Sequence, residues 1–330
     1  MEKIRAVDSR LNVVYDPALI AAPAFPADHN GLPFTRIPEQ EEMWRGYLKQ
    51  TEILFDFDRT HLEDLPELAP SVRWLQATSS GIGQKLHNLK YDERMPDTVF
   101  TSARGVHARP LAEFCIMIML AFNKKLLLTI ESQREKKWAR FAGTDLHGKT
   151  IGIIGMGKVG VEVARMAKCF GMNVLGMKRE VQGVEMSALN VDELFGMNQF
   201  ERILPRSQYL VLITPHTPET EKMIGRKQLE MLPRGAILIN IGRGALVDQH
   251  ELIKSLESGH LGGAGLDVFE EEPLPPDSPL WNMENVIVSP HSGSTSDSEN
   301  ALIVELFCEN LRRYLNGEPL LNVINTEKMF

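Results

Sequence analysis

Cysteine is scarce in this chain, and the three that are present form no pattern. Cys115, Cys169 and Cys308 are odd in number and far apart among 330 residues. Such spacing suits neither a disulfide framework nor a zinc site. We interpret each as a small core residue in a reducing compartment, and we expect a cytoplasmic protein. No two histidines have the spacing of metal ligands, so we also expect no metal.

Excess positive charge and long apolar runs are missing as well. The chain has 36 Lys and Arg against 44 Asp and Glu, a formal net charge of −8. Because nucleic-acid binding needs a basic face, this charge argues against nucleic acid as the main partner, and we expect none. The most apolar stretch, residues 111–122, is about half of the ~20 residues that a bilayer span requires. Residues 1–8 mix charges into an apolar segment and do not resemble a signal peptide, so we expect no membrane partner.

From residue 149 onward, short runs rich in Ile, Leu and Val alternate with helical segments. Candidate helices are 159–170 and 249–258. Candidate strands are 150–154, 174–177, 209–213, 236–241, 263–268 and 286–289. The strands are almost continuously apolar, which is typical of a parallel sheet buried on both faces. The alternation predicts a doubly wound α/β domain of the Rossmann type.

The first hundred residues indicate a second, less regular α/β unit. Its candidate elements are strands at 4–7, 53–57, 72–76 and 98–101, a Pro-rich loop at 17–38 and a helix at 39–49. An amphipathic stretch, 109–130, leads toward the other domain, and helical periodicity returns at 296–315. We predict a smaller flavodoxin-like α/β domain formed by residues 1–103 and 296–330, with the Rossmann-type domain, 104–295, inserted into it.

A glycine-rich turn follows the strand at 150–154 and opens the next helix. Gly155 permits a tight turn, Gly157 lets the backbone approach a pyrophosphate, and Gly160 allows the helix to lie close to the sheet. Lys158 and Val159 complete the turn, and the helix N-terminus offers N–H groups to phosphates. The motif predicts a dinucleotide site; a tight turn without a ligand is the alternative.

The residues after the second strand of this domain indicate which dinucleotide is bound. An NAD site usually has Asp or Glu about 20 residues beyond the glycines, where it accepts hydrogen bonds from the ribose hydroxyls. Here the strand is followed by Lys178, Arg179 and Glu180. Two cations suit a 2′-phosphate, so NADP is favoured over NAD. The alternative is a solvated surface pair whose charge Glu180 partly cancels.

Three ionisable residues stand directly after strands, at the edge where open α/β sheets bind ligands. They are Arg243, Glu272 and His291. A hydride delivered to a carbonyl leaves an alkoxide, and an imidazolium can protonate it near neutral pH. A carboxylate beside that histidine favours the charged ring, while an arginine can hold a substrate carboxylate in two parallel hydrogen bonds. Together they predict a dehydrogenase acting on a 2-oxo or 2-hydroxy acid.

Taken singly, each of the three has a structural explanation. Arg243 is then a loop charge, Glu272 one of three solvated glutamates, and His291 a buried histidine at a strand end. Their occurrence together beside a dinucleotide turn favours the catalytic interpretation.

These motifs resemble the D-isomer-specific 2-hydroxyacid dehydrogenases, in particular those that reduce glyoxylate or hydroxypyruvate. The resemblance is densest over residues 102–321, through the glycine turn and the segments 242–248, 266–273 and 290–291. It implies that Arg243 binds the substrate carboxylate and carbonyl, that Glu272 supports the histidine, and that His291 transfers the proton. It also implies a homodimer with the apolar run 111–122 at its interface.

The resemblance extends to further contacts. In the smaller domain it implies that the backbone N–H groups of Ser80, Gly81 and Ile82 hold the substrate carboxylate. The implied cofactor contacts outside the glycine turn and the Lys178–Arg179 pair are Val106 and Asp267 at the nicotinamide, Thr214 and Pro215 at the adenosine, and Ile241, Gly242 and Gly293.

Two residues depart from the family pattern. Lys178 stands where members that use NAD carry an acid, and Gln84 stands where an aspartate often follows the substrate loop. Other hydride donors on the same scaffold, formate or phosphite, are alternatives, although formate enzymes carry glutamine where Glu272 stands. A cofactor-sensing binding protein of the corepressor type is a third. The side chain of the substrate stays open.

Overall fold

The computed structural model describes residues 1–326, which divide into two compact units. The small unit comprises Met1–His107 and the chain from Thr295 onward, and the large unit comprises Ala108–Ser294. The boundaries predicted from the sequence, 103/104 and 295/296, fall within a few residues of these. Residues 327–330 of the predicted smaller domain lie outside the described part. Which unit binds substrate and which binds cofactor stays a prediction at this point.

Strands and helices alternate through most of the described chain. The strands are β1 (Ile53–Phe55), β2 (Trp74–Gln76), β3 (Val99–Thr101), β4 (Thr150–Ile154), β5 (Asn173–Lys178), β6 (Glu193–Gly196), β7 (Tyr209–Leu212), β8 (Ala236–Asn240), β9 (Leu261–Leu266) and β10 (Val286–Val288). The α-helices are α1 (Glu2–Arg5), α2 (Pro38–Gln50), α3 (Leu65–Leu68), α4 (Gly83–Asn88), α5 (Tyr91–Arg94), α6 (Ala108–Asn123), α7 (Leu126–Arg134), α8 (Lys158–Cys169), α9 (Met186–Leu189), α10 (Phe200–Ile203), α11 (Arg226–Met231), α12 (Gln249–Glu257) and α13 (Glu299–Leu315).

The large unit contains a parallel sheet of seven strands in the order β10-β9-β8-β7-β4-β5-β6. Every residue of β7 and β8 is buried, because helices cover both faces of a doubly wound sheet. The Rossmann-type prediction is confirmed. The strand order reverses between β4 and β7, and ligands of such sheets bind outside the carboxyl ends of the strands at this switch point.

Strand β6 is the element of this sheet that the sequence did not predict. It lies at the sheet edge, and three of its four residues are only half-buried. A short edge strand needs no continuous apolar run, so periodicity gave no signal for it.

The apolar run 111–122 lies in α6 and faces the core of the large unit. Leu111, Cys115, Ile118 and Met119 are buried with the side chains of β4, β7 and β8. Most of the run is therefore core, and its predicted place at a subunit interface stays a prediction. The amphipathic stretch 109–130 is also two helices, because Lys125 adopts a left-handed conformation between α6 and α7. Within residues 1–326, no helix combines the length and apolarity of a bilayer span.

The small unit is built on a three-stranded parallel sheet in the order β1-β2-β3. Helix α13 packs on it, with Phe307 stacked on Phe55 and Trp74 at centroid distances of 4.4 and 5.0 Å. The prediction of a strand at 4–7 is wrong, since residues 2–5 form α1. Ile4 is the one buried residue of α1, and it packs beside α13. A segment with a single buried residue does not need the alternating burial of a strand, so it can form a helix.

Candidate active site

His291 and Glu272 form a direct pair in the large unit. They follow β10 and β9, which are neighbours in the sheet, so their loops leave the same edge. His291 Nδ1 lies 2.8 Å from Glu272 Oε2, and the Phe269 N–H donates to Glu272 Oε1 at 3.0 Å. An ionised carboxylate only accepts hydrogen bonds, so Nδ1 carries a proton and Nε2 is left for a substrate.

The pair is electrostatically coupled. The hydrogen bond to Glu272 raises the pKa of His291, although partial burial and the positive charge of Arg243 oppose it. Burial favours a higher pKa for Glu272, but its hydrogen bonds to His291 and Phe269 together with nearby positive charge lower that pKa overall. The arrangement therefore stabilises an imidazolium beside a carboxylate near neutral pH, which is the state that a proton donor needs.

The backbone around His291 is strained and braced. His291 has a φ of 53°, in the left-handed region that residues other than glycine rarely adopt. Buried Asp267 holds the loop in place: its Oδ1 accepts from Ser289 Oγ at 2.6 Å and from the N–H groups of Ser292 and Gly293, both at 2.9 Å. Such strain persists only where the surroundings fix it, and the hydrogen bonds to Asp267 stabilise the loop that carries His291.

Arg243 lies on the loop after β8 and is partly buried. Asn240 braces this loop by accepting from the Gly242 N–H at 3.1 Å and donating to the Arg243 carbonyl at 2.9 Å. A Cβ at Gly244 would lie 1.8 Å from the Phe269 carbonyl carbon, so the loop is pressed against the segment that leads to Glu272. Desolvation lowers the pKa of Arg243, while the charge of Glu272 opposes that shift. The guanidinium stays charged in any protein environment.

The glycine turn has the geometry of a phosphate cradle. The N–H groups of Gly155 and Met156 donate to the Met177 carbonyl at 3.0 and 3.2 Å, which ties the turn to the end of β5. Gly155 has a φ of +112°, and a Cβ at Gly160 would lie 2.2 Å from the Gly155 oxygen. A Cβ at Gly157 would meet no atom within 4 Å, and no side chain caps α8. An open backbone before an uncapped helix N-terminus fits a pyrophosphate.

The predicted adenosine side of the cofactor site flanks this turn. Lys178 is the last residue of β5 and directly follows Met177, and Arg179 after it is exposed. Thr214 is buried after β7, and its backbone nitrogen lies 3.0 Å from where a Gly155 Cβ would be. The hydroxyl of Thr217 and, to a smaller extent, the charge of Arg179 lower the pKa of Glu219. Positive and negative side chains thus stand together beside the end of β5.

Other predicted contacts are distributed over both units. Ile241 and Gly242 are buried at the end of β8, and Gly293 lies beside Asp267. Ser80, Gly81, Ile82 and Val106 belong to the small unit, where Ile82 precedes α4 and is almost fully buried. Their roles toward substrate and cofactor stay predictions. Among residues 1–326, no group of three or more His, Cys, Asp or Glu is placed to hold a metal ion.

Sequence reasoning missed the residues that brace the site. Asn240 and Ser289 act on the loops of Arg243 and His291, yet only their positions at strand ends hinted at such a role. In the small unit, Glu299 contacts His107 at a separation of 192 residues, which no local pattern reveals.

The geometry agrees with the comparisons with known proteins. The family described as "D-isomer specific 2-hydroxyacid dehydrogenase, NAD binding domain" matches residues 116–293. A glyoxylate reductase of Korarchaeum cryptofilum is 39% identical over 236 residues, which cover 69% of each chain. A D-3-phosphoglycerate dehydrogenase of Methanocaldococcus jannaschii is 35% identical over 229 residues, covering 69% of this chain and 43% of that protein.

Solved structures give the same result. A D-isomer specific 2-hydroxyacid dehydrogenase from Xanthobacter autotrophicus, in complex with NADPH and MES, has a TM-score of 0.74 at 29% identity and covers 86% of both chains. An NADPH-dependent glyoxylate/hydroxypyruvate reductase from Sinorhizobium meliloti, in complex with NADP and sulfate, has a TM-score of 0.75 at 27% identity, covering 85% of this chain and 87% of that one. The protein therefore belongs to the D-isomer-specific 2-hydroxyacid dehydrogenase family and is an NAD(P)-dependent oxidoreductase that reduces a 2-oxo acid.

Proposed function

We propose that this enzyme reduces a short 2-oxo acid of the glyoxylate or hydroxypyruvate class to the D-2-hydroxy acid, with NADPH as donor and His291 as general acid. The observation that carries this proposal is the 2.8 Å contact between His291 and Glu272, with the Arg243 loop packed against the segment before Glu272. The glyoxylate reductases among its relatives support the substrate class.

Each residue has a defined part in the reaction. The glycine turn of Gly155, Gly157 and Gly160 would hold the pyrophosphate of NADPH, and the bound cofactor would supply a hydride for the carbonyl carbon. His291 donates the Nε2 proton to the carbonyl oxygen, so the product leaves as a neutral alcohol rather than an alkoxide. Glu272 stabilises the imidazolium before transfer, and Arg243 holds the carboxylate while polarising the adjacent carbonyl. In the small unit, the backbone of residues 80–82 offers N–H groups to the carboxylate.

A panel of 2-oxo acids tests the proposal directly. We expect NADPH absorbance to fall when glyoxylate or hydroxypyruvate is added to the full-length protein, more rapidly than with 3-phosphohydroxypyruvate or pyruvate. Oxidation of D-glycerate but not L-glycerate by NADP+ would establish the stereochemistry. Tight NADPH binding without turnover of any panel member would instead support a cofactor-sensing binding protein. Turnover of phosphite alone would support the other dehydrogenase alternative.

The preference for NADPH rests on Lys178 and Arg179. They stand at the end of β5, whose Met177 carbonyl also anchors the glycine turn. A 2′-phosphate carries negative charge that both cations can bind, whereas neither can accept a hydrogen bond from a ribose hydroxyl. Complexes of similar proteins with NADPH and NADP support the same preference.

Replacing Lys178 by Asp and Arg179 by Ala should shift this preference toward NADH. A hydrogen bond to a charged group contributes about 1.5–3 kcal/mol, so we expect the ratio of kcat/KM for NADPH over NADH to fall by roughly ten- to a hundredfold. The matched control is Arg226→Ala with Lys227→Asp, which makes the same charge change at an exposed Arg-Lys pair opening α11. An unchanged ratio in the first variant, or an equal fall in the control, would contradict a 2′-phosphate site.

We also propose a homodimer, formed through α7 and the segment after it rather than through α6. Leu126, Leu128 and Phe141 are exposed there, and Trp138 is 96% exposed. Clustered apolar side chains on a surface mark association sites, and light scattering on the full-length protein should give twice the chain mass.

We further propose a cytoplasmic location for the protein. Its three free cysteines fit a reducing compartment.

A further inference from the structure

A buried chain of polar side chains links Glu299 to Ser80 inside the small unit. His107 Nε2 lies 3.1 Å from Glu299 Oε1, and His107 Nδ1 lies 3.0 Å from Ser80 Oγ. His29 Nε2 lies 3.2 Å from the same carboxylate oxygen. His107 and Glu299 are buried, whereas Ser80 is partly exposed on the loop before α4. We call these four residues the Glu299 cluster. None of them belongs to the triad of Arg243, Glu272 and His291 in the large unit.

The ionisation state of Glu299 determines which ring nitrogen of His107 keeps its proton. Burial favours a higher pKa for Glu299, but the contacts with His107 and His29 outweigh it and lower the pKa to about 2. The carboxylate is therefore ionised at any working pH and can only accept hydrogen bonds. His107 must then carry a proton on Nε2, so a change in its protonation takes place at Nδ1, the atom that faces Ser80.

Protonation at Nδ1 reverses the hydrogen bond to Ser80. In the neutral ring, Nδ1 is an acceptor, so the Ser80 hydroxyl donates its proton to His107. In the imidazolium, Nδ1–H donates to Ser80 Oγ, and the hydroxyl proton is released to point at another acceptor. When His107 is neutral, the Ser80 hydroxyl is therefore unable to donate to an anion. When His107 is protonated, the Ser80 hydroxyl can do so.

We propose that His107 is a positioning residue that, when protonated, directs the Ser80 hydroxyl toward the substrate carboxylate. The inference rests on the proposed function, which assigns the loop around Ser80 to that carboxylate. Substrate affinity is then higher with the protonated ring than with the neutral ring, so it should fall as the pH rises. The effect acts on substrate binding, whereas His291 acts on proton transfer.

The groups around His107 define the controls. Glu299 faces it from α13, His29 faces the same carboxylate oxygen from the Pro-rich loop, and Ser80 faces it from the loop before α4. Asp28 precedes His29 in the chain and accepts hydrogen bonds from the N–H groups of Ala24, Gly31 and Asn30, which lower its pKa; the charge of His29 adds to this to a smaller extent. His29 contacts Glu299 rather than Ser80, so removing His29 should leave the hydrogen bond between His107 and Ser80 in place.

The test is the binding of oxamate, an unreactive 2-oxo acid analogue, to the NADPH-loaded protein between pH 5.5 and 8.5. The protein carries His291→Gln, so that the triad histidine does not titrate. We expect the Kd to rise roughly ten- to a hundredfold across one step, the difference that a charge-assisted hydrogen bond makes. Adding His107→Gln should flatten this profile, and adding His29→Gln should keep the step.

Ser80→Ala provides a second route to the same answer. It removes the hydroxyl at a partly exposed position while His107 and Glu299 stay paired, so it tests the proposal even if His107→Gln does not fold. We expect it to bind oxamate weakly and to reduce the step. A step that persists unchanged in both variants, or an affinity loss that is equal at every pH, would overturn the proposal. Turnover of glyoxylate without such a step would refute this inference alone, whereas absence of all turnover would refute the proposed function.

Discussion

We expect His291→Gln to lower kcat for 2-oxo acid reduction by about 10²- to 10⁴-fold, the range that general acid catalysis contributes. Glutamine can still occupy the site and form a hydrogen bond, but it cannot transfer a proton. Binding of NADPH, measured by fluorescence titration, should be unchanged, because the glycine turn lies after a different strand. His250→Gln, at an exposed position of the same unit, is the matched control. A variant that retains activity would refute the role of His291.

The pH profile makes this prediction more specific. Reduction requires the protonated ring, so kcat should fall as the pH rises through the pKa of His291, which Glu272 raises above its ordinary value of about 6.5. Oxidation of the 2-hydroxy acid requires the neutral ring and should rise over the same interval. Glu272→Gln removes the charge that raises this pKa, so the descending limb should move to lower pH. If the descending limb does not move in this variant, Glu272 does not raise the pKa of His291.

The second large effect is expected at Arg243. Arg243→Gln should lower kcat/KM by about 10²- to 10³-fold, because it removes a partly buried charge that binds the substrate carboxylate and polarises the carbonyl. Arg243→Lys keeps the charge but loses the bidentate fork, so a smaller loss, mainly in KM, is expected. Steady-state kinetics with glyoxylate or hydroxypyruvate measures both, with Arg234→Gln at an exposed position as control.

Arg243 and Glu272 should move the pH profile in opposite directions. The positive charge of Arg243 lowers the pKa of His291, so Arg243→Gln should shift the descending limb to higher pH. Equal shifts of the same sign in the Arg243 and Glu272 variants would contradict the electrostatic arrangement described for the site. A loss of NADPH affinity comparable to the loss of kcat/KM would place Arg243 in the cofactor site instead.

Local patterns were sufficient for the main features of the large unit. The strand, glycine turn and helix around Gly155 are adjacent in sequence, and each glycine meets a steric need that the next few residues create. Arg243, Glu272 and His291 each follow a buried strand. Since parallel strands end at one edge of the sheet, the order of strands and loops in the sequence was enough to predict that these three side chains lie near one another.

The errors have equally local causes. The segment at residues 4–7 was predicted as a strand because it is short and apolar, and in such a segment a helix and a strand look alike. β6 escaped prediction because its edge position leaves it half-buried. The run 111–122 was predicted to lie at a subunit interface, and periodicity does not say what covers an apolar face. In the structure most of the run packs against the sheet, and its place at an interface stays a prediction.

The sequence by itself determined the family resemblance, the doubly wound sheet, the glycine turn and the positions of Arg243, Glu272 and His291 after strands of that sheet. Each of these depends on neighbours within a few residues or on the common edge of a sheet. Only the tertiary structure showed that Asn240 and Asp267 stabilise the loops of Arg243 and His291. Only the tertiary structure brought Glu299 into contact with His107 and His29, and His107 into contact with Ser80. These contacts connect side chains from separate loops and helices, and the hydrogen bonds of a buried polar group are set by what packs beside it rather than by its place in the chain.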